Sequence, residues 1–128
     1  MALFRTDSVV LSYSSLEVAK RWWVNAFDCK QVKVPAEWDN HLPSDVALKL
    51  PGYDEPAILL SSRTELQQAN MELPTSVPVI FSDKLKKAHD HMVSRGVDTG
   101  PIQDGGDTQF FEVRDCEANV IEICTEPS

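Results

Sequence analysis

The sequence lacks the features that mark several large classes of protein. Its longest apolar runs, such as residues 57–60, are far too short to cross a bilayer, and the first residues do not follow the basic-then-apolar pattern of a signal peptide. The three cysteines, Cys29, Cys116 and Cys124, include no closely spaced pair, which disfavours a disulfide framework and a zinc site. We therefore expect a cytoplasmic protein with reduced thiols that does not bind a membrane.

Two kinds of catalytic or binding motif are also missing. The sequence contains no Gly-x-Ser-x-Gly, and no cysteine has a recognisable base beside it. The pair Gly105-Gly106 lies between two aspartates and precedes a predicted strand, so it does not form a phosphate-binding loop at the start of a helix. Nucleophilic catalysis and nucleotide-phosphate binding therefore have no support in the sequence.

Basic residues are scarce near the C-terminus. The formal net charge is −8, and residues 96–128 contain eight acidic residues but only one base, Arg114. Binding to nucleic acid requires clustered Lys and Arg, so nucleic acid is excluded as a partner. The acidic excess is compatible with a cationic ligand, and equally with a surface that only keeps the protein in solution.

What the sequence does contain is one repeated pattern. Its 128 residues, 42% apolar and 25% charged, are enough for a single globular core. Strand, helix and three further strands follow one another over residues 7–61 and again over 76–125, and a polar connector at 62–75 has room for one helical turn. The first helix is predicted to begin with a capping box formed by Ser14 and Glu17. We predict an α+β fold of two βαβββ modules in one domain, whose curled mixed sheets form a cleft.

The two predicted helices carry their apolar residues at matching positions. Leu16, Ala19 and Trp23 of the first helix correspond to Leu85, Ala88 and Met92 of the second at one constant offset. Two histidines on the second helix, His89 and His91, are about 200° apart around its axis and cannot share a metal, so we expect both to be exposed to solvent.

The second half ends in a segment that carries a family resemblance. Residues 110–123 read Phe-Phe-Glu-Val-Arg-Asp-Cys-Glu-Ala-Asn-Val-Ile-Glu-Ile. This resembles the phenylalanine-rich strand, Asp-Pro-Asp-Gly-Asn turn and Ile-Glu-Leu strand of the vicinal oxygen chelate superfamily, which includes glyoxalase I, extradiol dioxygenases and fosfomycin- and bleomycin-resistance proteins. Cys116 and Ala118 replace the usual Pro and Gly, and we expect Asn119 to take the left-handed conformation of the turn.

The resemblance implies a divalent metal held by one ligand from each of four strands. The corresponding positions here are Ser8, Leu59, Ser76 or Val77, and Glu122, and the strand register near Ser76 is left open. Of these, only Glu122 has a side chain of the ligand type, whereas a firmly held metal needs three or more strong donors. We therefore expect neither a metal nor another cofactor, and the chain is closest in character to the bleomycin-resistance type.

The alternation of side chains along a strand predicts which residues face the cleft. Because the apolar residues of the last two strands must pack beneath the helix, Glu112, Glu122, Phe110 and Arg114 are expected on the open face, with Glu112 directly across from Glu122. Two carboxylates so placed repel each other unless Arg114 or a cationic ligand lies between them, or one of them is protonated. The same rule places Ser8 and Ser12 on the cleft face of the first strand.

A second aromatic candidate, Trp38, lies in the loop between two predicted strands of the first half. An indole at this position is able to close over a ligand, and it is equally able to anchor the loop onto its own domain or onto a dimer partner.

Three functions are compatible with these observations. The favoured one is metal-independent binding of a small cationic or aromatic ligand, which the protein would sequester in an acidic cleft. The second is a metal-dependent lyase, isomerase or dioxygenase with a rearranged site that uses Glu122 and His41. The third is a non-catalytic dimeric interaction module. The resemblance implies a homodimer, and the sequence leaves open whether the cleft forms within one chain or between two.

Overall fold

The computed structural model describes residues 3–38 and 41–126, and the elements follow the order of the predicted repeat. The elements of the first module are β1 (Val9–Tyr13), α1 (Leu16–Phe27), β2 (Lys30–Val32), β3 (Val46–Lys49) and β4 (Ile58–Ser62). The connector begins with a short helix, α2 (Arg63–Gln68). The elements of the second module are β5 (Val79–Phe81), α3 (Leu85–Ser94), β6 (Asp98–Thr99), β7 (Gln103–Asp104), β8 (Gln109–Arg114) and β9 (Val120–Cys124). Within these ranges no helix has both the length and the unbroken apolar character of a membrane span.

The two modules have the same strand topology. The first sheet has the order β1-β4-β3-β2, and the second has the order β5-β9-β8-β6, with β7 also paired to β8. In the first sheet β1 is parallel to β4, and in the second sheet β5 is parallel to β9. All other neighbouring strands are antiparallel. The predicted α+β fold of two mixed sheets is therefore confirmed.

A single hydrophobic core lies beneath both helices. On α1 the buried residues Ala19 and Trp23 recur at helical spacing, and the Trp23 ring stacks on Phe27 with 4.8 Å between ring centroids. Phe4, which precedes the first strand, packs against Phe27 at 4.9 Å and against His91 of α3 at 5.6 Å. The two modules therefore share one core.

A buried hydrogen-bond network also joins the modules. The hydroxyl of Tyr13 on β1 donates to Oδ2 of Asp115, at 2.6 Å, and accepts from Nε1 of Trp23, at 2.9 Å. Asp115 begins the turn between β8 and β9, and its Oδ1 accepts from the backbone N–H groups of Glu117 and Asn119. Tyr13 is fully buried, and its phenol gives the Trp23 indole its hydrogen-bond acceptor and adds one more donor to the Asp115 carboxylate.

The predicted capping box at the start of α1 is wrong by one residue. The N-cap is Ser15, whose side chain accepts from the N–H of Val18. The backbone N–H and the hydroxyl of Ser14 instead donate to Oε2 of Glu117, at 2.9 and 2.8 Å. A carboxylate from the other module thus takes both donors of Ser14, since a charged acceptor forms the stronger hydrogen bond.

The left-handed residue of the β8–β9 turn is also not the one predicted. Ala118 has φ of 63°, whereas Asn119 is not among the residues with positive φ. The backbone and side-chain N–H groups of Asn119 both donate to Asp115, at 2.9 and 3.0 Å, and these bonds fix its orientation. Ala118 must therefore take the left-handed conformation, which glycine adopts more readily.

The expectation that His89 and His91 are exposed is wrong. Both rings are half-buried, because each lies against a backbone carbonyl of a neighbouring segment. Nε2 of His89 is 2.9 Å from the oxygen of Gly100, and Nε2 of His91 is 2.8 Å from the oxygen of Ala26. The two rings point to different parts of the structure, so they tie α3 to its surroundings.

The conformation of Ala118 predicts that Ala118→Gly stabilises the protein. A left-handed backbone costs an L-residue roughly 1–2 kcal/mol, a cost that glycine avoids. Glycine is also freer in the unfolded chain, so we expect a net gain of about 1 kcal/mol in the free energy of unfolding, measured by urea denaturation. The control is the exposed Ala69, whose φ of −86° is ordinary. Ala69→Gly should lower stability, and an equal effect of both changes would contradict the interpretation.

Burial of Tyr13 predicts a loss of stability at alkaline pH. Burial, followed by the hydrogen bond to Asp115, raises the pKa of Tyr13 far above its ordinary value of 10.0. The folded state thus holds a proton that the unfolded state releases, so this stabilisation is complete below pH 10.0 and declines as the pH rises further.

The measurement compares the wild type with Tyr13→Phe by urea denaturation between about pH 8 and 11. The variant should be less stable by about 1–3 kcal/mol at pH 8, because it leaves the buried indole N–H of Trp23 without an acceptor and removes one donor from Asp115. The difference should shrink by up to about 1.4 kcal/mol per pH unit above pH 10. A difference that is constant with pH would contradict the assignment, and the exposed Tyr53→Phe serves as the control.

Candidate functional site

The open groove of the molecule lies where the two modules meet. The backbone N–H of Arg5 donates to the oxygen of Phe81, at 2.8 Å, and the hydroxyl of Thr6 donates to the oxygen of Val79, at 2.9 Å. Next to these contacts lie two pockets of about 300 Å³ each. Residues of β1 line one side of the pockets, and residues 76–79 line the other. Residues 5–12 therefore run alongside residues 76–81 in the opposite direction, and the groove forms within one chain.

Strand alternation places the predicted serines in this groove. Val9, Leu11 and Tyr13 are buried beneath α1, whereas Ser8 is exposed and Ser12 is half-buried. Between the two serines lies Val10, whose side chain is 45% exposed and is thus available to a ligand. Ser8 lines the first pocket and Ser12 lines the second, so the two residues mark different parts of one groove.

The open face of the first sheet is apolar at its centre. Val10 is paired with Leu59, Leu59 with Ala47, and Ala47 with Val32, so these four residues form one row across the strands. Because residues in register lie on the same face, the row is apolar across the whole sheet. Val10 is exposed and Leu59 and Val32 are half-buried, whereas Ala47 is fully buried.

Trp38 lies against this surface. Together with Ser8, Val9, Val10 and Leu59 it lines a third pocket, of about 280 Å³. The backbone N–H of Trp38 donates to the oxygen of Pro35, at 3.1 Å, which closes a turn that presents the indole to its own module. The tryptophan and Ser8, both predicted as site residues, are therefore neighbours.

The predicted pairing of Glu112 with Glu122 is confirmed by the register of β8 and β9. At the two ends of this hairpin, Asp115 N–H donates to the oxygen of Asn119 and Thr125 N–H donates to the oxygen of Gln109. Hydrogen-bonded pairs alternate with non-hydrogen-bonded pairs, so the two glutamates occupy a non-hydrogen-bonded position. Their Cα atoms are then about 4.5 Å apart, the closest spacing that a sheet allows.

The two glutamates have no compensating partner among the described residues. Within residues 3–38 and 41–126, neither carboxylate forms an ion pair or a side-chain hydrogen bond, and neither does Arg114. Arg114 is on the same face, two residues from Glu112, but it is exposed and does not bridge the pair. The negative charge of the pair therefore remains available to a cation.

The predicted site residues thus form two groups. Trp38 and Ser8 belong to the first module, whereas Glu112, Glu122, Phe110 and Arg114 share the open face of the second sheet. The pocket that Trp38 lines includes none of these four. Val79 connects the groups, because it lines the groove beside Ser8 and Val10 and is paired in register with Glu122.

The comparisons with known proteins identify the architecture. No protein-family model and no curated protein matches the sequence. Among solved structures, a glyoxalase/bleomycin resistance protein/dioxygenase superfamily member from Sphaerobacter thermophilus superposes with a TM-score of 0.69 at 16% identity, over 95% of this chain and 98% of that one. The chain has the vicinal oxygen chelate fold.

Two further solved structures of this fold are an integron cassette protein and a fosfomycin resistance protein. An integron cassette protein from the mobile metagenome of V. cholerae has a TM-score of 0.64 and 21% identity, and the match covers 94% of each chain. A fosfomycin resistance protein from Mesorhizobium loti has a TM-score of 0.57 and 14% identity, over 95% of this chain and 92% of that one. Identities this low establish the fold and leave the activity to be argued from the site.

The residues present do not fit the metal that the vicinal oxygen chelate fold commonly holds. Of the four corresponding positions, Ser8 is a weak donor, Leu59 is apolar and lies in the hydrophobic row, and only Glu122 offers a carboxylate. Among the described residues, no group of three or more His, Cys, Asp or Glu side chains is placed to bind a metal. His41, the other ligand of the rearranged site, is exposed, and Nδ1 of its ring is 3.5 Å from the oxygen of Leu42.

Cys124, which is paired in register with Phe110, is unsuited to nucleophilic chemistry. Burial raises the pKa of its thiol, and the carboxylates of Glu122 and Glu126 raise the pKa further. The thiolate, which is the reactive form, is therefore disfavoured at neutral pH. The prediction that neighbouring carboxylates raise this pKa is confirmed.

The sequence analysis missed the polar end of the groove. Arg63, the first residue of α2, lines the second pocket together with Ser12, Thr75, Ser76 and Asn119. Its position in a polar connector gave no sign of this role, because its neighbours in space are distant in sequence. The one available signal was that Arg63 directly follows a strand, at the end of a sheet where loop residues often bind ligands.

The Glu112–Glu122 pair predicts that removing one of its charges stabilises the protein. Like charges at paired positions destabilise a sheet, so Glu112→Gln or Glu122→Gln should raise the free energy of unfolding by about 0.5 kcal/mol in low salt. The gain should decline in about 1 M NaCl, where the screening length is about 3 Å.

A double-mutant cycle measured by urea denaturation checks the cause. Once one charge is gone the repulsion is gone, so the second substitution should add nothing. The control is Glu55→Gln, at an exposed turn residue, which should leave stability unchanged. Fully additive gains in the cycle would show that the two carboxylates do not interact.

Proposed function

We propose that this protein binds and sequesters a small cationic, aromatic molecule without a metal ion. The observation that carries the proposal is a groove lined by an indole and apolar side chains on one side and by Val79 on the other, with an unpaired carboxylate pair on the two strands next to Val79. The fold is compatible with this function, since solved proteins of the same architecture include members described as resistance proteins.

The apolar side of the groove supports the binding of a ring system. Trp38, Leu59 and Val10 line the same pocket. Ligand pockets of a few hundred Å³ with mostly apolar linings and a small number of polar groups are typical of small-molecule sites. An aromatic ligand here gains hydrophobic contact from the row and stacking from the indole.

The acidic side supports the binding of a positive charge. Glu122 is one strand away from Val79, which lines the groove, and Glu112 is one strand further. Strands are about 4.8 Å apart, so a ligand that rests on Val10 and Val79 has both carboxylates within reach of an attached cation. A bound cation also relieves the repulsion between the two glutamates.

Sequestration requires affinity and no chemical step. The corresponding metal positions carry too few donors, and the one nearby thiol is held in its unreactive form, so the proposal assigns no catalytic residue. The homodimer that the resemblance implies remains a prediction and is not needed for the groove, which a single chain provides.

The test uses rhodamine B ethyl ester, a cationic aromatic dye, and measures its fluorescence anisotropy as the protein is added. We expect saturable binding that Trp38→Ala weakens by about tenfold and Glu122→Gln by about fivefold, which correspond to about 1.4 and 1 kcal/mol. Added EDTA should not change the affinity, and salt should reduce it.

The controls separate the groove from the rest of the surface. Glu55→Gln removes an acidic charge far from the paired carboxylates in sequence and should leave the affinity unchanged. The proposal would be refuted if binding is not saturable, or if Trp38→Ala and Glu122→Gln leave the affinity as unchanged as the control does. Binding or turnover that appears only with Ni²⁺, Zn²⁺, Mn²⁺ or Fe²⁺ would favour the metal-dependent enzyme instead.

A further inference from the structure

The second pocket of the groove ends at a fixed cation. The side chain of Arg63 is 38% exposed, and its Nη2 lies 3.4 Å from the backbone oxygen of Ser12 and 3.3 Å from Oε1 of Glu117. These contacts come from β1 and from the β8–β9 turn, so the guanidinium is held between the two modules at the point where the groove ends.

Glu117 acts as an anchor for this arginine. Its carboxylate accepts from the N–H and hydroxyl of Ser14 and from the N–H of Ser15. Burial alone would raise the pKa of Glu117, but the hydrogen bonds from Ser14 and Ser15 and the charge of Arg63 lower it below the ordinary value. Glu117 is thus ionised at neutral pH. Its carboxylate accepts hydrogen bonds from Ser14 and Ser15 as well as from Arg63.

The rest of the guanidinium is free to bind an acceptor. An arginine has five N–H donors, and among the described residues only Nη2 has a hydrogen-bond partner. The hydroxyls of Ser12, Thr75 and Ser76 line the same pocket, and none of them donates a hydrogen bond within residues 3–38 and 41–126. Several donors that lack a partner among the described residues therefore line one pocket, and an anionic group is able to accept from them.

This polar end is continuous with the pocket of Trp38. The second pocket, at Arg63, shares residues 76–78 with the first pocket. The first pocket in turn shares Ser8, Val9 and Val10 with the third pocket, which Trp38 lines. From Ser8 to Ser12 the strand advances about 13 Å at 3.3 Å per residue. A single ligand of about this length can therefore touch both ends.

We propose that Arg63, with the hydroxyls of Ser12 and Ser76, binds a carboxylate or a similar anionic group on the molecule whose aromatic part lies against Trp38. The inference rests on the proposed function and narrows it. The ligand is a zwitterion, with a ring at the Trp38 end, a cation directed toward Glu112 and Glu122, and an anionic group at Arg63. Fixing three points sets one orientation of the ligand in the groove.

The experiment compares rhodamine B, which has a free carboxylate, with rhodamine B ethyl ester, in which the carboxylate is blocked. The two dyes share the same cationic ring system, so their difference in affinity isolates the anionic group. By fluorescence anisotropy we expect the wild type to bind rhodamine B about tenfold more tightly than the ester. Arg63→Gln should abolish this preference and leave the affinity for the ester unchanged.

Further variants show whether a lost preference comes from the missing guanidinium or from a misfolded protein. Arg63→Lys retains the charge but lacks the planar fork, so it should restore only part of the preference. Arg21→Gln, on the outer face of α1, should bind both dyes as the wild type does, and thermal unfolding should confirm that every variant is folded.

The outcomes distinguish the two proposals. Equal affinities of the wild type for the two dyes, or a preference that survives in Arg63→Gln, would overturn the anionic subsite while leaving the proposed function in place. If neither dye binds, both the proposed function and this inference are overturned.

Discussion

Each sheet of this protein has one long helix to cover it, and a helix covers one face. Because side chains alternate along a strand, every second residue packs beneath α1 or α3 and the remainder stay on the open side. Sheets of this kind bury their open faces against a partner or leave them for a ligand. Here the edge strands of the two modules lie next to each other, and the open faces therefore meet along a groove.

The two open faces have diverged in chemistry although their topology is the same. The row that contains Leu59 in the first sheet is apolar, whereas the equivalent row in the second sheet contains Glu122 and Glu112. A duplicated module can therefore supply two kinds of wall to one site. A substitution on the open face of one sheet leaves the residues beneath the other sheet's helix in place.

Period-two alternation and a short hairpin were enough to predict that Glu112 faces Glu122, since a register fixed by a tight turn depends on local sequence. The conformation of Ala118 was not predictable, because it follows from hydrogen bonds between Asn119 and Asp115 that only the folded turn defines. The position of Arg63 in the groove was not predicted for a similar reason. Its partners are Ser12 and Glu117, and nothing in the neighbouring sequence indicates that the fold brings these residues together.

The packing of Phe4 makes the two modules depend on each other. This residue precedes the first module in sequence, and its ring contacts both Phe27 of α1 and His91 of α3, while its neighbour Arg5 extends the edge of β5. Half of the molecule on its own would leave these aromatic surfaces in water. One module therefore needs a second, in the same chain or in another, to bury these rings.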